Sequence, residues 1–251
     1  MNDVTVVFTS CGRQDLLDIS LATFFRFNTY HDVDVMVVED GPGRRNRELA
    51  RKYANRSIAW LSTGSRIGQI GAIDFAYSHV RTPYIFHTED DWKFHACGFI
   101  EKSLAILRAR PDCIIVKVQP LNELNAHPIA AVEEVVDSIT YKKLEFDYEY
   151  GNSERYVWHG FSFNPGLRRL EDYQRVAPYT KHVDRRAGTA LRSEESLGKI
   201  YRGMGFHVVV LTTNSGYGYV RHIGDGRHIY DPPPLLYRIK RRIDRSWKRL
   251  R

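Results

Sequence analysis

The chain has 251 residues, of which 43% are hydrophobic and 27% charged, a composition that supports one substantial core and excludes a disordered or fibrous protein. Its three cysteines, Cys11, Cys97 and Cys113, are widely spaced and form no CxxC pair. This spacing suggests neither a disulfide framework nor a zinc knuckle, and it favours a reducing compartment. No signal-peptide pattern precedes the strand-like start, and no apolar run reaches about 18 residues. We therefore expect a soluble or peripheral cytoplasmic protein.

The formal net charge of +7 is concentrated at the C-terminal end. Residues 235–251 contain eight basic side chains and one acid, so the rest of the chain is formally neutral. A basic tail on a neutral body differs physically from a basic groove. We therefore expect no nucleic-acid partner.

The first two thirds of the chain alternate short β-branched runs with longer amphipathic segments. This alternation predicts an α/β fold, with a mainly parallel sheet flanked by helices. The predicted strands are 4–8, 33–38, 58–61, 84–87 and 113–118. The predicted helices between them are 14–27, 44–54, 67–78 and 97–108.

The pattern weakens after residue 118, where we expect irregular structure with one short helix up to residue 156. Further on, the sequence predicts a strand at 156–163 ended by an Asn-Pro-Gly turn, a helix at 194–204 with Ser193 as its N-cap, and a strand at 206–211. Three prolines at 232–234 favour an extended spacer. We therefore expect a catalytic domain over 1–231 and a separate tail over 232–251.

Three successive acids, Glu89, Asp90 and Asp91, follow the apolar strand 84–87 directly. The strand would deliver them to the carboxyl edge of the sheet, where ligands of open α/β folds bind. Their mutual repulsion is costly unless a cation lies beside them, and Mg²⁺ or Mn²⁺ suits such oxygen ligands and can bridge to a diphosphate. The alternative is a solvated acidic turn or a helix cap.

This segment resembles the DxD-type motif of GT-A glycosyltransferases, in the EDD form found in some family 2-like inverting enzymes. The resemblance extends over most of residues 4–222. It implies a GT-A fold and a nucleotide-sugar donor. It also implies that Asp91 binds the metal ion, Mn²⁺ or Mg²⁺, while Glu89 and Asp90 approach the ribose or a metal-bound water.

The loop after the first strand lacks the GxGxxG pattern of dinucleotide-binding proteins, which argues against an oxidoreductase. By the same resemblance, Thr9, Ser10 and Arg13 lie against the nucleoside or its phosphates. Asp40 would accept a hydrogen bond from a uracil ring, and Arg66 would pair with phosphate. The alternatives are an ordinary strand-to-helix loop and a simple Asp-Gly turn at Asp40.

On the acceptor side, the resemblance implies that Gly160 and Ser162 leave room for the donor sugar. Sugar transfer needs a base for the acceptor hydroxyl, and Glu194 and Glu195 are the two candidates. Counting back from Gly205 favours Glu194. In the alternative interpretation, these acids only complement the dipole of the helix that they begin.

His222 matches the position of a C-terminal histidine that reaches the metal in many GT-A enzymes, and it does so better than His228. In 235–251, apolar residues recur at three- and four-residue steps among arginines and lysines. This pattern predicts a basic amphipathic helix on an anionic membrane surface, at its cytoplasmic face, with Trp247 at the interface. Docking on the chain's own surface or on a second subunit is the alternative.

Together these features predict a metal-dependent, inverting glycosyltransferase that moves a sugar from a UDP-sugar to a glycan or lipid-linked glycan acceptor. Two other functions stay open. One is a nucleotidyltransferase that makes nucleotide-sugars, although the loop after the first strand is poor in the glycines and cations that it needs. The other is a non-enzymatic module that binds anionic surfaces or nucleic acid through the tail.

Overall fold

The computed structural model describes residues 2–124, 128–145, 148–150, 156–183, 190–213 and 216–224. The strands are β1 (Val4–Ser10), β2 (Val33–Glu39), β3 (Ile58–Ser62), β4 (Tyr84–Glu89), β5 (Trp92–Phe94), β6 (Cys113–Lys117), β7 (Glu134–Val136), β8 (Ile139–Lys143), β9 (Tyr148–Tyr150), β10 (Tyr156–Trp158), β11 (Gly166–Arg169), β12 (His207–Leu211) and β13 (Val220–His222). The α-helices are α1 (Gln14–Phe27), α2 (Arg47–Lys52), α3 (Gln69–Ser78), α4 (Phe99–Ala109), α5 (Leu170–Gln174) and α6 (Ala190–Gly203).

Nine strands form one sheet in the order β3-β2-β1-β4-β11-β6-β12-β8-β7. All of them run in the same direction except β11 and β8, which are antiparallel to their neighbours. Two small antiparallel pairs, β9 with β10 and β5 with β13, lie outside this sheet. The predicted α/β class with a mainly parallel sheet is therefore confirmed.

Helices and loops cover both faces of the sheet, which explains why the central strands are continuously apolar rather than alternating. All seven residues of β1 are buried. On one face, Phe24 of α1 packs edge-on against the rings of Phe8 and Phe94. On the other face, Tyr77 of α3 packs against Tyr173 and Tyr179. These aromatic contacts fix the helices whose ends carry the site.

Three predictions about the C-terminal half were wrong. The strand predicted at 156–163 is shorter and belongs to the β9–β10 pair, so residues 159–165 run as an irregular segment. The stretch 119–156 was expected to be irregular, but it contributes β7 and β8 to the main sheet. Ser193 is not an N-cap, because α6 begins three residues earlier, at Ala190.

The strand β11 was missed altogether, although it lies at the centre of the sheet between β4 and β6. It is only four residues long, and two of them are arginines. A strand that buries Arg168 breaks the apolar pattern by which central strands are recognised.

The predicted helix 44–54 is also divided, into a 3₁₀ turn at Gly43–Asn46 and the short α2. Among the described residues, no helix is both long and apolar enough to cross a bilayer.

Candidate functional site

The carboxyl ends of β1, β2 and β4 lie side by side at one edge of the sheet. Pairing places Ser10 beside Glu39 on one flank, and Thr9 beside Glu89 on the other. A cavity of about 210 Å³ opens at this edge. The residues that line it are Thr9, Ser10, Cys11, Arg13, Asp40, Arg66, Gln69, Ala72, Glu89 and Asp90. They include most of the residues that were predicted to bind the donor. The position agrees with the general rule for ligand sites in open α/β sheets.

Arg13 is the cation that lies among the three acids. Its guanidinium bonds both carboxylate oxygens of Asp90, which is fully buried, and Nη1 lies 2.8 Å from Oδ2 of Asp91. Ser10 also donates to Asp90 Oδ2, at 2.9 Å. The charge of the cluster is therefore partly balanced from within the chain, by a residue only three positions beyond the end of β1.

Helix α1 fixes the turn that carries these acids. The hydroxyl of Ser20 contacts the backbone carbonyl oxygens of Asp90 at 2.8 Å and Trp92 at 2.6 Å. Ser20 itself is completely buried. Because the contacts involve backbone atoms on both sides of Asp91, they set the direction in which the turn leaves β4.

The three acids differ in how readily they ionise. Burial and the neighbouring acids raise the pKa of Glu89, while burial also raises that of Asp90 against the opposing charge of Arg13. Burial would raise the pKa of Asp91 too, but a hydrogen bond from His222 and the charge of Arg13 outweigh it and lower the pKa. Asp91 is therefore the most firmly ionised member of the cluster.

His222 reaches Asp91 from the short strand β13, which pairs with β5 so that His222 lies opposite Trp92. Its Nε2 is 3.3 Å from Asp91 Oδ2, and its ring lies 5.0 Å from that of Trp92. The other oxygen, Oδ1 of Asp91, is buried without a hydrogen-bond partner. Gly224 packs closely here, since a Cβ at that position would come 2.5 Å from Asp91 Oδ2.

The side chains of Asp91 and His222 fit a divalent cation that is held partly by the protein and partly by a bound phosphate ligand. No group of three or more potential metal-ligating side chains occurs in the part of the chain that the structure describes. Mg²⁺ and Mn²⁺ are nevertheless commonly bound through one or two protein ligands, with phosphate oxygens and waters completing the shell. The unpartnered Oδ1 of Asp91 and the adjacent imidazole of His222 are suitable donors for such a site.

Asp40 anchors the loop at the mouth of the cavity. Its Oδ1 accepts from the backbone N–H of Ile67 at 2.7 Å, and its Oδ2 accepts from that of Gly68 at 2.9 Å. Gly68 has φ +87° at the start of α3, a conformation that favours glycine. The predicted contact of Asp40 with a uracil ring stays a prediction, but the carboxylate demonstrably sets the position of the loop that carries Arg66.

Gln69, the first residue of α3, is a site residue that the sequence analysis missed. Its Nε2 donates to Glu89 Oε1 at 2.7 Å, which holds the first acid of the motif against the cavity wall. A polar residue at the start of a helix after a glycine-containing loop carries little signal by itself, because such residues are common there.

The two candidate bases on α6 face different surroundings. Glu194 Oε1 accepts from the backbone N–H of Phe163 at 2.8 Å, so this side chain points toward segment 159–165. Glu195 instead lies 2.8 Å from the ammonium of Lys199 one helical turn later. Withdrawal from water raises the pKa of Glu194 above its ordinary value, and the Phe163 N–H and two nearby cations oppose that rise. The geometry favours Glu194 as the inward-facing acid.

Gly160 and Ser162 are not among the residues that line the cavity. Ser162 is 1% exposed, and its hydroxyl accepts from Nζ of Lys117 at 2.6 Å. A Cβ at Gly160 would meet the side chains of Leu144 and Val208, at 3.0 and 3.4 Å. Both residues therefore pack against the chain itself, and their predicted place beside the donor sugar stays a prediction.

Lys117 and Arg168 are two further charged residues that sequence reasoning missed. Lys117 ends β6 and Arg168 lies in β11, and both are almost completely buried on the face covered by α6. The position of Lys117 was a usable signal, because it follows an apolar strand just as Glu89 does. Arg168 offered none, since its strand was not recognised.

No protein-family profile matches the sequence, and no curated protein matches it either. The structure resembles the mannosyltransferase PcManGT from Pyrobaculum calidifontis in complex with GDP-Man and Mn²⁺, with a TM-score of 0.55 and 16% identity over 86% of this chain and 58% of that one. It resembles S. aureus TarS 1–349 with a TM-score of 0.57 and 13% identity, over 88% and 60% of the two chains. The same TarS fragment in complex with UDP-GlcNAc gives 0.55 and 10%, over 91% and 62%.

The fold is that of the GT-A-like glycosyltransferases. At these identities the GT-A likeness concerns the fold, and the chain spans less than two thirds of each of these structures. Within that fold, the EDD segment occupies the carboxyl end of β4, as the sequence predicted. His228, the domain boundary near residue 231 and the predicted tail helix lie outside the described residues.

Proposed function

We propose that this protein is an inverting glycosyltransferase that uses a nucleotide-sugar, with a UDP-sugar as the donor. The acceptor is a hydroxyl of a glycan or of a lipid-linked glycan. One observation carries the proposal: in a GT-A-like fold, the acid cluster, two arginines and an inward-facing glutamate converge on the carboxyl edge of the sheet. The complexes of PcManGT with GDP-Man and of TarS with UDP-GlcNAc support a donor of this class.

The donor diphosphate lies, in this proposal, between the loop after β1 and the loop held by Asp40. Arg13 and Arg66 both line the cavity, so phosphate oxygens entering it would meet their guanidinium groups. Thr9 and Ser10 line the same wall beside Glu89, where a ribose or base would contact them. When a diphosphate enters, it competes with Asp91 for Arg13.

Asp91 and His222 would hold Mn²⁺ or Mg²⁺ in the loaded enzyme. The metal supplies positive charge that stabilises the departing diphosphate. Before the metal binds, His222 and Arg13 keep Asp91 ionised, and the close packing of Gly224 fixes its direction. The complex of PcManGT with Mn²⁺ supports a divalent ion in this fold.

Glu194 acts as the general base in this mechanism. Its Oε1 accepts from the backbone N–H of Phe163, and in this proposal Oε2 takes the proton of the acceptor hydroxyl. The acceptor oxygen forms a bond to the anomeric carbon as the bond from that carbon to the diphosphate oxygen breaks. The electron pair leaves with the nucleoside diphosphate, and a single displacement inverts the anomeric configuration.

A donor panel tests this function directly. We expect one nucleotide-sugar to raise the melting temperature in the presence of Mn²⁺ and to be hydrolysed slowly without acceptor, with a weaker response in EDTA. UMP and free sugar serve as controls, because they lack the diphosphate. If no nucleoside diphosphate sugar stabilises the protein or is consumed, the proposal is wrong.

We place the reaction at the cytoplasmic face of an anionic membrane, with residues 235–251 as the attachment. The support is the sequence pattern of that tail, in which apolar residues recur at three- and four-residue steps among arginines and lysines. A variant that ends at residue 234 should lose flotation with vesicles containing anionic lipid, while it keeps donor hydrolysis. Equal flotation of the two forms would refute this attachment.

A further inference from the structure

The inward-facing part of segment 159–165 is held by ionic side chains from three different elements. Lys117 of β6 donates from Nζ to the hydroxyl of Ser162 at 2.6 Å. Arg168 of β11 donates from Nη2 to the backbone carbonyl of the same serine at 3.3 Å. Glu194 of α6 accepts from the N–H of Phe163 at 2.8 Å. The carboxylate of Glu194 and the two cations therefore all bond to the same two residues, Ser162 and Phe163, which we call the Ser162–Phe163 attachment.

The burial of these cations needs a physical reason. Lys117 is 0% exposed and Arg168 is 1% exposed. An ion withdrawn from water costs several kcal/mol unless a counter-charge offsets it, and apolar residues of similar volume usually serve stability as well or better. The guanidinium of Arg168 also lies over the rings of Phe161 and Phe163, each 5.7 Å away, whereas the ammonium of Lys117 is held by a hydroxyl.

Charged and titratable groups lie on several of the elements near Glu194. Strand β4 contributes Glu89 and the fully buried His87, whose pKa burial lowers so that the ring stays neutral. Strands β6 and β11 contribute Lys117 and Arg168.

On the helical side, Asp74 of α3 accepts from the backbone N–H groups of Tyr179 and Thr180, and Glu195 pairs with Lys199. Lys117 and Arg168 are thus the cations with a direct electrostatic effect on the inward-facing carboxylate, and Glu89 opposes them.

We propose that Lys117 is a positioning residue for Glu194: it fixes the Ser162–Phe163 attachment that aims the carboxylate, and it brings a cationic side chain to that same attachment. The role in catalysis rests on the proposed function, while the link between Lys117 and Glu194 does not. Withdrawal from water raises the pKa of Glu194, and Lys117 and Arg168 act against that rise. Withdrawal from water in turn lowers the pKa of Lys117, and Glu194 opposes it.

The link is tested without any activity, by following glutamate side-chain carboxyl resonances through a pH titration of ¹³C-labelled full-length protein. Glu194→Gln identifies the signal of Glu194. Lys117→Met keeps the length and apolar stem of the side chain but removes the charge, so the pKa of Glu194 should rise by about one unit. Lys199→Met is the matched control, because that exposed lysine pairs with Glu195, and it should leave the Glu194 signal unchanged.

A second variant covers the case in which Lys117→Met does not fold. Ser162→Ala removes only the 2.6 Å contact and leaves the charge in place, so the pKa of Glu194 should rise by less, in the same direction. If the Glu194 titration is the same in the wild type, in Ser162→Ala and in every folded Lys117 variant, the proposal is overturned.

The catalytic part is tested by the pH dependence of sugar transfer. The base must be deprotonated, so activity rises with pH through the pKa of Glu194, and a raised pKa moves this acid limb upward. In Lys117→Met, we expect kcat to be about tenfold lower than in the wild type at pH values below the pKa of Glu194, and equal to it at pH values above the raised pKa. The donor KM should be unchanged. An equal loss at every pH would show a merely structural role. A wild type without transfer activity would refute the proposed function and leave the titration result standing.

Discussion

Two charged regions share the carboxyl edge of the main sheet, and they are neutralised in opposite ways. At the donor cavity, acids are in excess and Arg13 reaches in from a loop, with 15% of its side chain exposed. Around Glu194, cations are in excess, and Lys117 and Arg168 lie inside the sheet's own strands. The counter-charge of the donor region, Arg13, is a partly exposed loop side chain, whereas the cations of the inner region, Lys117 and Arg168, are withdrawn from water.

This difference changes the reason for expecting a metal. The sequence argument held that three adjacent acids require a cation, and the structure shows that Arg13 already supplies one to Asp90 and Asp91. The expectation of Mn²⁺ or Mg²⁺ now depends on the convergence of Asp91 with His222 and on the competition of a donor diphosphate for Arg13. Substitutions in each region test the two separately.

The largest effect is expected in the inner region, from Glu194→Gln. The amide oxygen can still accept from Phe163, so the fold should be retained, but the base is lost. We expect kcat to fall by about 10²–10⁴ with little change in the donor KM, measured by initial rates of transfer. A melting temperature close to that of the wild type is the control. Wild-type turnover in this variant would eliminate Glu194 as the base.

The donor region should respond next, to Asp91→Asn. The substitution keeps the shape but removes the negative charge, so we expect kcat to fall by about 10²–10³ and Mn²⁺ affinity in the presence of UDP to weaken. The matched control is Asp112→Asn at the opposite end of the sheet, where the carboxylate pairs with Arg110. Unchanged turnover of the Asp91 variant in EDTA would mean that the proposed chemistry is wrong.

A moderate effect is expected from Asp40→Asn, which tests the loop rather than the chemistry. The carboxylate of Asp40 accepts from the backbone N–H groups of Ile67 and Gly68. In the asparagine variant, the NH₂ group faces one of these two N–H groups, so that hydrogen bond is lost. Loss of such a charge-assisted bond costs on the order of 1–3 kcal/mol. We expect the donor KM to rise roughly five- to tenfold, and kcat to change less. Asp34→Asn, on the exposed end of the same strand, should leave both constants unchanged.

The smallest effect is expected from Glu195→Gln. This residue makes an i,i+4 pair with the exposed Lys199, and such pairs contribute about 0.3–0.5 kcal/mol. Transfer should stay within about twofold of the wild type, and the free energy of unfolding from urea titration should fall by less than about 0.5 kcal/mol. A loss as large as that of Glu194→Gln would exchange the roles of the two glutamates.

The sequence by itself determined the strand ends that surround the cavity. Strands that are buried on both faces read as apolar runs, and the polar residues that follow them must emerge at one edge, so Asp40 and the acids 89–91 were found at their places. Helix α1 was predicted with its bounds as observed, because its apolar spacing is regular and Phe27 is followed by non-helical residues.

The tertiary structure alone decided the partners of those residues. Arg13 reaches Asp90 across 77 positions of sequence, and Lys117 reaches Ser162 across 45. Strand β11 could not be predicted, because a four-residue segment with two arginines has no apolar strand pattern. It becomes a central strand only through its pairing with β4 on one side and β6 on the other. Hydrophobic periodicity shows which face of each segment packs against the core. It does not show which buried charged side chains will pair, because that depends on the order of the strands in the sheet.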